Sequence, residues 1–337
     1  MKKLIVAVLK YSLLTVIINY SLLTINSVAH PVNAQQISLS LSPPLVEIMV
    51  KPGKGALIAY DLKNVGDPTA VETLVRPFTA GAENGTIDIQ PEFSEPVIFT
   101  LENSEIELGD AVFLKSNQQQ QYLLRISIPD DCPEGDYYYS FLVRTQPQPG
   151  IEGRNSTLAQ GTIGANLLIT VTGTGVTDTK GGISLFNVMS RFKLNFFGKT
   201  IRLFDSGDPV PVILTVRNRG RNLVKAEGTI TLSGAFGTRA DYEVAPRNIL
   251  SQAQRTLEAT PSADLDFRQW GQKPTLLIDG FHIGRYRLDA NLVFGDNLYA
   301  DSAAADFIAL PLKFGLGLLA AVFISLLVIR RMRYKNE

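Results

Sequence analysis

The sequence has few of the residues on which enzyme and metal chemistry most often depends. Its 337 residues include one cysteine, Cys132, one tryptophan and two histidines. Because a single cysteine cannot form an internal disulfide, the hydrophobic core must stabilise the fold, and we interpret Cys132 as a small core or loop residue. His282 is the one histidine that follows the expected signal peptide over 1–34. We interpret it as a turn or surface residue, which argues against a catalytic triad or a histidine-rich zinc site.

The recurrent motifs of hydrolases and nucleotide-binding enzymes are also missing. The sequence contains no Gly-x-Ser-x-Gly element, no P-loop and no Gly-x-Gly-x-x-Gly fingerprint. Carboxylates cluster around one predicted loop at Asp130, Asp131, Glu134 and Asp136. Such a cluster could bind calcium or catalyse glycoside hydrolysis, and these roles are the alternatives to a structural one. Their spacing is not that of a calcium loop, and loop aspartates commonly cap turns. We therefore predict no enzymatic activity, no cofactor and no metal, and single out no catalytic or binding residue.

The balanced formal charge hides an acidic central region. The chain has 32 lysines and arginines and 32 aspartates and glutamates. Eight of the cations and only one of the anions lie in the two terminal apolar segments and the C-terminal tail. The central region therefore has 24 cations and 31 anions. A net charge of about −7 on the central region argues against nucleic acid or anionic lipid as its partner.

A long apolar run near the C-terminus predicts a membrane anchor. The run extends from Ile308 to Ile329 and is followed by the basic segment Arg330 to Lys335. About 20 apolar residues cross the hydrocarbon core, and basic flanks stay in the cytoplasm. Lys313 lies near the outer end, where its long side chain can reach the interface. A buried core helix is the alternative, but such a helix is usually shorter and amphipathic.

The N-terminus predicts export from the cytoplasm. Met1-Lys2-Lys3 is basic, residues 4–25 are mostly apolar, and Val32-Asn33-Ala34 places small residues before a cleavage site. We therefore predict a plasma-membrane protein with one span, a cytoplasmic C-terminus and its main body outside the cytoplasm. Because the apolar stretch is long and contains Lys10, an uncleaved N-terminal anchor is the alternative.

Between these segments apolar residues alternate with polar ones, as in half-buried antiparallel strands. The clearest alternating segments are 37–41, 58–62, 122–128, 137–143 and 163–171. Turn residues separate them, and helical periodicity is missing, so the pattern favours a β-sandwich.

The same pattern then recurs further along the chain. An alternating strand ends in Asn64-Val65-Gly66, and a second one, 154 positions later, ends in Asn218-Arg219-Gly220. Gly135-Asp136-Tyr137 and Gly284-Arg285-Tyr286 each open a strand. We predict that the hydroxyl of Tyr137 bonds to backbone a few residues upstream, and that Tyr286 repeats this. The repetition predicts two sandwiches in tandem.

We therefore predict an all-β ectodomain of two tandem Ig-like β-sandwiches with an N-terminal signal peptide and one C-terminal transmembrane helix. The expected divisions are a signal peptide over 1–34, an Ig-like sandwich over 35–173, a linker over 174–182, a second Ig-like sandwich over 183–306, a transmembrane helix over 307–329 and a basic cytoplasmic tail over 330–337.

This organisation resembles that of the bacterial WxL-interacting surface proteins. The stretches that carry the resemblance are 38–44 (SLSLSPP), 60–66 (YDLKNVG), 133–138 (PEGDYY) and 167–171 (LLITV). The resemblance implies a first module that binds peptidoglycan and a second that binds surface proteins. It transfers no ligand-contacting residue to this chain.

The expected function is that of a non-enzymatic, membrane-anchored scaffold. Its two modules would bind peptidoglycan or another envelope polymer, surface proteins, or both, through strand edges and loops such as Pro147–Gln160. The alternative is a periplasmic chaperone-like or assembly accessory protein, which binds a client across an exposed sheet edge. Besides these partners, we expect contact with the lipid bilayer through the C-terminal helix, and none with nucleic acid.

Overall fold

A computed structural model describes most of the chain outside its N-terminal segment. The described residues are 36–82, 85–92, 96–102, 105–146, 160–190, 192–196, 198–234, 237–261, 273–295 and 299–335. The signal peptide expected over 1–34 lies outside them and stays a prediction, as do the tryptophan at position 270 and nearly all of the loop expected over Pro147–Gln160.

The first part of the described chain forms two sheets that face each other, here called the N-terminal sandwich. Its strands are β1 (Leu39–Ser42), β2 (Leu45–Val50), β3 (Gly55–Asn64), β4 (Thr69–Ala80), β5 (Ile87–Ile89), β6 (Ile98–Leu101), β7 (Ala111–Leu114), β8 (Gln119–Ser127), β9 (Gly135–Gln146) and β10 (Thr162–Val171). One sheet has the order β1-β3-β8-β6, and the other has the order β2-β10-β9-β4-β5 with β7 also paired to β4.

The second part repeats this arrangement in two further sheets, here called the C-terminal sandwich. Its strands are β11 (Gly181–Val188), β12 (Phe192–Phe196), β13 (Lys199–Asp205), β14 (Val210–Asn218), β15 (Val224–Gly234), β16 (Arg239–Ile249), β17 (Gln254–Thr256), β18 (Ala259–Thr260), β19 (Leu276–Ile278), β20 (Gly284–Phe294) and β21 (Tyr299–Leu310). The sheet orders are β11-β14-β17, with β19 on β14, and β12-β13-β21-β20-β15-β16-β18.

In both sandwiches the chain enters along one sheet and then crosses to the other. β1 pairs antiparallel with β3, and after Pro43-Pro44 β2 runs parallel to β10 in the opposite sheet. Likewise β11 pairs with β14, and β13 runs parallel to β21. The C-terminal sandwich differs by an added strand, because β12 folds back on β13 as a hairpin at the sheet edge. The sequence pattern did not reveal this hairpin.

A separate hydrophobic core fills each sandwich. In the N-terminal core Tyr60 and Phe141 are fully buried and stack with ring centroids 4.7 Å apart. In the C-terminal core Tyr286 stacks on Phe307 at 5.1 Å. The alternating strand pattern and the mostly β, Ig-like fold are confirmed. The division of the chain into two domains at the expected boundaries stays a prediction.

The two Asn-x-Gly turns are equivalent in detail. Asn64 and Asn218 are fully buried, and each side-chain amide donates to three backbone carbonyls of its own turn and a neighbouring loop. Each side-chain oxygen accepts the N–H of the glycine two residues later, Gly66 at 3.0 Å and Gly220 at 2.9 Å. A Cβ on either glycine would lie 2.2 or 2.1 Å from a backbone carbonyl oxygen, so only glycine fits there.

The tyrosine prediction is confirmed at Tyr137, whose hydroxyl donates to the Pro133 carbonyl at 2.9 Å. Tyr286 also bonds upstream, but its hydroxyl accepts the Ile283 N–H at 3.3 Å. The role assigned to His282 was wrong. Its side chain is 7% exposed and packs edge-on against Tyr286 at 5.2 Å, because its backbone N–H donates to a carbonyl of the β13–β14 loop and draws the segment over the core.

The C-terminal apolar run divides between a strand and a helix. Ile308 to Leu310 belong to β21, since β20 and β13 pair with them on either side. After Pro311 the chain forms helix α1, Leu312–Lys335. Among the described residues α1 is the one helix long and apolar enough to span a membrane, which agrees with single-pass anchoring. Which side of the membrane each end occupies stays a prediction.

Candidate functional site

The Asp136 carboxylate accepts hydrogen bonds from both sandwiches, and the Glu47 carboxylate accepts one more from Asn248 across the joint between them. From its own sandwich Asp136 accepts hydrogen bonds from the Tyr138 hydroxyl at 2.8 Å and the Thr170 hydroxyl at 2.9 Å. From the C-terminal sandwich the Asn222 side-chain amide donates to it at 2.8 Å, and the Leu223 backbone N–H donates as well. Four donors on one carboxylate fix the approach of the two sandwiches, because hydrogen bonds to a charged acceptor are the strong ones.

Tyr138 extends this joint. Side chains two apart on a strand share a face, so Tyr138 and Asp136 both point from β9 toward the C-terminal sandwich. The hydroxyl of Tyr138 accepts the Ser251 N–H at 2.8 Å, and its ring stacks on Phe78 at 5.8 Å. Burial, and next the neighbouring carboxylate, raise the pKa of Tyr138, so its hydroxyl keeps its proton and remains a donor to Asp136.

Beside this joint the two sandwiches enclose a small, mainly apolar cleft of about 150 Å³. Its N-terminal wall comes from the outer face of the β2-β10-β9-β4 sheet and includes Leu45, Phe78 and Leu168. Its C-terminal wall includes Ile249 and Leu250. A cavity of about 150 Å³ lined by apolar side chains holds a group the size of benzene, whereas drug-sized ligands need about 300–1,000 Å³. The cleft therefore fits one side chain of a larger partner.

Polar groups at the cleft come from both sandwiches. Arg255 lies in its wall and donates from Nη1 to the Asn248 carbonyl at 2.9 Å. Burial, and next the neighbouring Arg247, lower the pKa of Arg255, although the group remains far more basic than neutral pH. Asn166 also lines the cleft, and its side-chain oxygen accepts a hydrogen bond from Ser140 at 2.8 Å. These groups can orient a polar segment next to an apolar side chain.

The cleft adjoins an edge strand. Strand β2 pairs with β10 on one side, and among the described residues no strand pairs with its other side. Leu45 is 45% exposed and Met49 is 55% exposed on its outer face, with Glu47 between them. An unpaired strand edge offers backbone donors and acceptors to another chain. The exposed apolar side chains beside it are those that a bound strand would cover.

A second concavity opens on the opposite flank of the N-terminal sandwich. This groove of about 460 Å³ lies between β4 and the short edge strand β6, and it includes Leu74, Arg76, Ile98 and Phe99. Ile98 is 55% exposed. The groove involves one sandwich only and a four-residue edge strand, whereas the cleft combines both sandwiches with a longer edge. We therefore treat the cleft and β2 as the principal candidate site.

Of the loop carboxylates considered from the sequence, Asp136 is the one with described hydrogen bonds to the C-terminal sandwich. Glu134 accepts the Gly173 N–H at 2.7 Å, and Asp131 is exposed. In the described part of the chain no group of three or more histidine, cysteine, aspartate or glutamate side chains could hold a metal ion. The role of Asp136 was missed, because its partners Asn222 and Leu223 lie 86 and 87 residues away and no periodic pattern marks such a contact.

No protein-family model and no curated protein matches the sequence. Solved structures with a similar fold include the class 5 fimbriae chaperone CfaA, which is 9% identical over 80% of this chain and 99% of its own, with a TM-score of 0.34. The Salmonella enterica SafA pilin in complex with the SafB chaperone is 12% identical over 80% and 97%, with a TM-score of 0.34. The E. coli chaperone DraB is 12% identical over 81% and 97%, with a TM-score of 0.33.

Similarity of this degree assigns no function to this chain. The resemblance to WxL-interacting surface proteins is not tested by these comparisons and stays a prediction.

Proposed function

We propose that this chain is a membrane-anchored, non-enzymatic protein that holds an extended segment of another extracytoplasmic protein, as a chaperone-like or assembly accessory protein does. The observation that carries the proposal is the cleft between the sandwiches next to the unpaired edge of β2. The partner segment would add a strand to β2, so that backbone hydrogen bonds supply affinity without regard to sequence.

Specificity would come from the cleft. One apolar side chain of the bound segment would fill the space between Leu45, Phe78 and Leu168, while Asn166 and Arg255 bond to its polar neighbours. Because Asp136 and Tyr138 hold the two walls together by hydrogen bonds, the cleft is preorganised, which lowers the entropic cost of binding. Its small volume favours a polypeptide over a sugar chain, whose rings would need a longer trough.

The cell-wall role expected from the family resemblance has no supporting observation among the described residues. It therefore stands as the outcome against which the proposal is tested. The two roles differ in the partner, since one binds proteins of the envelope and the other binds wall polymer.

The test uses a photo-reactive residue at position 45 of the full-length protein in membranes that carry the envelope proteins. Position 57 is the matched control, because Leu57 is 48% exposed on the outer face of the other sheet of the same sandwich. Position 98 reports on the groove. The proposal expects a defined protein adduct at position 45 and none at position 57, with no retention on purified sacculi. Adducts at position 98 alone, or retention on sacculi without a protein adduct, would overturn it.

Substitution then locates the contact. Leu45→Asp puts a charge where the proposal places an apolar contact and should abolish recovery of the adduct protein by the purified chain. Leu57→Asp makes the same chemical change on an equally exposed leucine and should leave recovery unchanged. Equal loss with both variants would indicate a general effect on folding or charge, and an unaffected Leu45→Asp variant would exclude the cleft.

A further inference from the structure

The C-terminal sandwich connects to helix α1 without a flexible linker. Strand β21 ends at Leu310 and α1 begins at Leu312, with Pro311 alone between them. Asp205, at the end of β13, accepts the Lys313 backbone N–H at 2.8 Å, and the Lys313 ammonium forms ion pairs with Asp208 at 2.5 Å and Asp205 at 3.5 Å. The first turn of the helix is thus bonded directly to the sandwich.

Hydrogen bonds continue from this junction into the segment before β20. The Ser206 N–H donates to the Leu310 carbonyl at 3.0 Å, and the His282 N–H donates to the Ser206 carbonyl at 2.9 Å. His282 is buried, whereas its neighbours Phe281 and Ile283 are 70% and 41% exposed. Burial of the histidine between them turns two apolar side chains outward at the helix end of the sandwich.

A third apolar side chain lies at the same end. Leu310 is 39% exposed and follows Ala309, the residue that pairs with Gly284 at the start of β20. Phe281, Ile283 and Leu310 are here called the collar.

The length of α1 fixes the position of the collar relative to a bilayer. The apolar segment Leu312–Arg331 has 20 residues, which at 1.5 Å per residue gives about 30 Å, the thickness of the hydrocarbon core. The whole segment is needed to cross, so the outer boundary of the core lies close to Leu312. The headgroup layer beyond it is about 5–7 Å thick. One strand residue advances about 3.3 Å, which places Leu310 and its cross-strand neighbours inside that layer.

We propose that the collar is a membrane-contact surface that inserts into the lipid headgroup layer and holds the C-terminal sandwich against the bilayer. Aromatic and aliphatic side chains are favoured at this depth. Asp205 and Asp208 nearby are acidic, so the contact depends on apolar burial rather than attraction to anionic lipid. Insertion of the collar into the headgroup layer would hold the cleft at a fixed height above the membrane.

The experiment measures tryptophan quenching in the full-length protein reconstituted into vesicles that contain brominated lipids. Phe281→Trp places the probe in the collar. Phe323→Trp places it near the middle of α1, and Leu57→Trp places it on an exposed strand of the N-terminal sandwich. The signal of the parent protein, which has one tryptophan, is subtracted from each. Bromines are positioned either near the headgroup or near the chain end.

The proposal expects Trp at position 281 to be quenched mainly by headgroup-proximal bromines, position 323 by deep bromines and position 57 by neither. The result should be the same in phosphatidylcholine and in phosphatidylglycerol-containing vesicles, because the contact is apolar. Quenching at position 323 without quenching at position 281 would show an anchored helix with a free sandwich and would overturn the proposal. Lack of quenching at position 323 would show that α1 does not span the bilayer and would overturn it as well.

Discussion

Replacing Asp136 with alanine should loosen the joint between the two sandwiches more than replacing any carboxylate of the loop before β9. Asp136 accepts four hydrogen bonds, two from its own sandwich and two from Asn222 and Leu223 in the other. The substitution leaves those donors without their charged acceptor. It should therefore lower the free energy of unfolding and weaken the coupling between the two sandwiches.

The magnitude follows from the count of bonds. A hydrogen bond to a charged group contributes about 1.5–3 kcal/mol net, so four bonds set an upper limit of about 6–12 kcal/mol. Asp136 is half-buried, and water can reach part of the site once the carboxylate is gone, which recovers much of that energy. We expect a loss of about 3 kcal/mol for Asp136→Ala.

The assay is urea unfolding of the full-length protein in detergent micelles, followed by circular dichroism. Asp131→Ala is the matched control, because Asp131 is exposed five residues earlier in the loop before β9, and it should change stability by less than about 0.5 kcal/mol. A double-mutant cycle with Asn222→Ala should give a coupling energy of about 1–2 kcal/mol. Equal stabilities of the Asp136 and Asp131 variants, or a coupling energy near zero, would refute the claim that Asp136 holds the two sandwiches together.

Three further predictions concern single side chains. Asn64→Ala and Asn218→Ala each remove four hydrogen bonds from a buried turn and should each cost about 3 kcal/mol in urea unfolding; a clear difference between them would contradict their equivalence. Tyr137→Phe removes the bond to the Pro133 carbonyl and should cost about 1 kcal/mol, so an unchanged melting curve would contradict it. Burial lowers the pKa of His282, so the unfolded chain protonates first and stability should fall as pH drops below about 6.5. His282→Gln should reduce the decrease in melting temperature between pH 7 and pH 5. An unchanged decrease would argue against His282 as its cause.

Local patterns were sufficient to predict the main core strands and the recurrence of their pattern, although not the β12–β13 hairpin. Alternation at 58–62 and 122–128 identified faces that are buried in the N-terminal core, because period two is a property of the strand itself. The Asn-x-Gly turns were recognisable because each asparagine side-chain oxygen accepts the N–H of the glycine two residues later. The hydroxyl bond of Tyr137 spans four residues and was predictable on that basis.

Contacts between distant segments were not predictable. His282 was assigned to a turn or the surface because it lies just ahead of a predicted strand, yet its burial depends on a carbonyl 76 positions earlier in the β13–β14 loop. The cleft likewise depends on β2, β4 and β10 meeting residues 248–255 of the other sandwich. Such pairings are set by how two folded units pack, and one sequence carries no periodic signal for them.

The joint and the collar together determine the height and the orientation at which the cleft meets a membrane-bound partner. Two hydrogen-bonded connections, at Asp136 and at Asp205, run in series from the N-terminal sandwich to α1. If both are intact, the cleft cannot turn freely about the membrane anchor, and a partner emerging from the bilayer meets it at one height and in one orientation. Restricted orientation raises the effective concentration of a site for a partner in the same membrane. Substitution of Asp136 should therefore weaken capture of a membrane-bound partner more than capture of the same segment as a free peptide, and equal weakening of both would show that the orientation of the cleft plays no part.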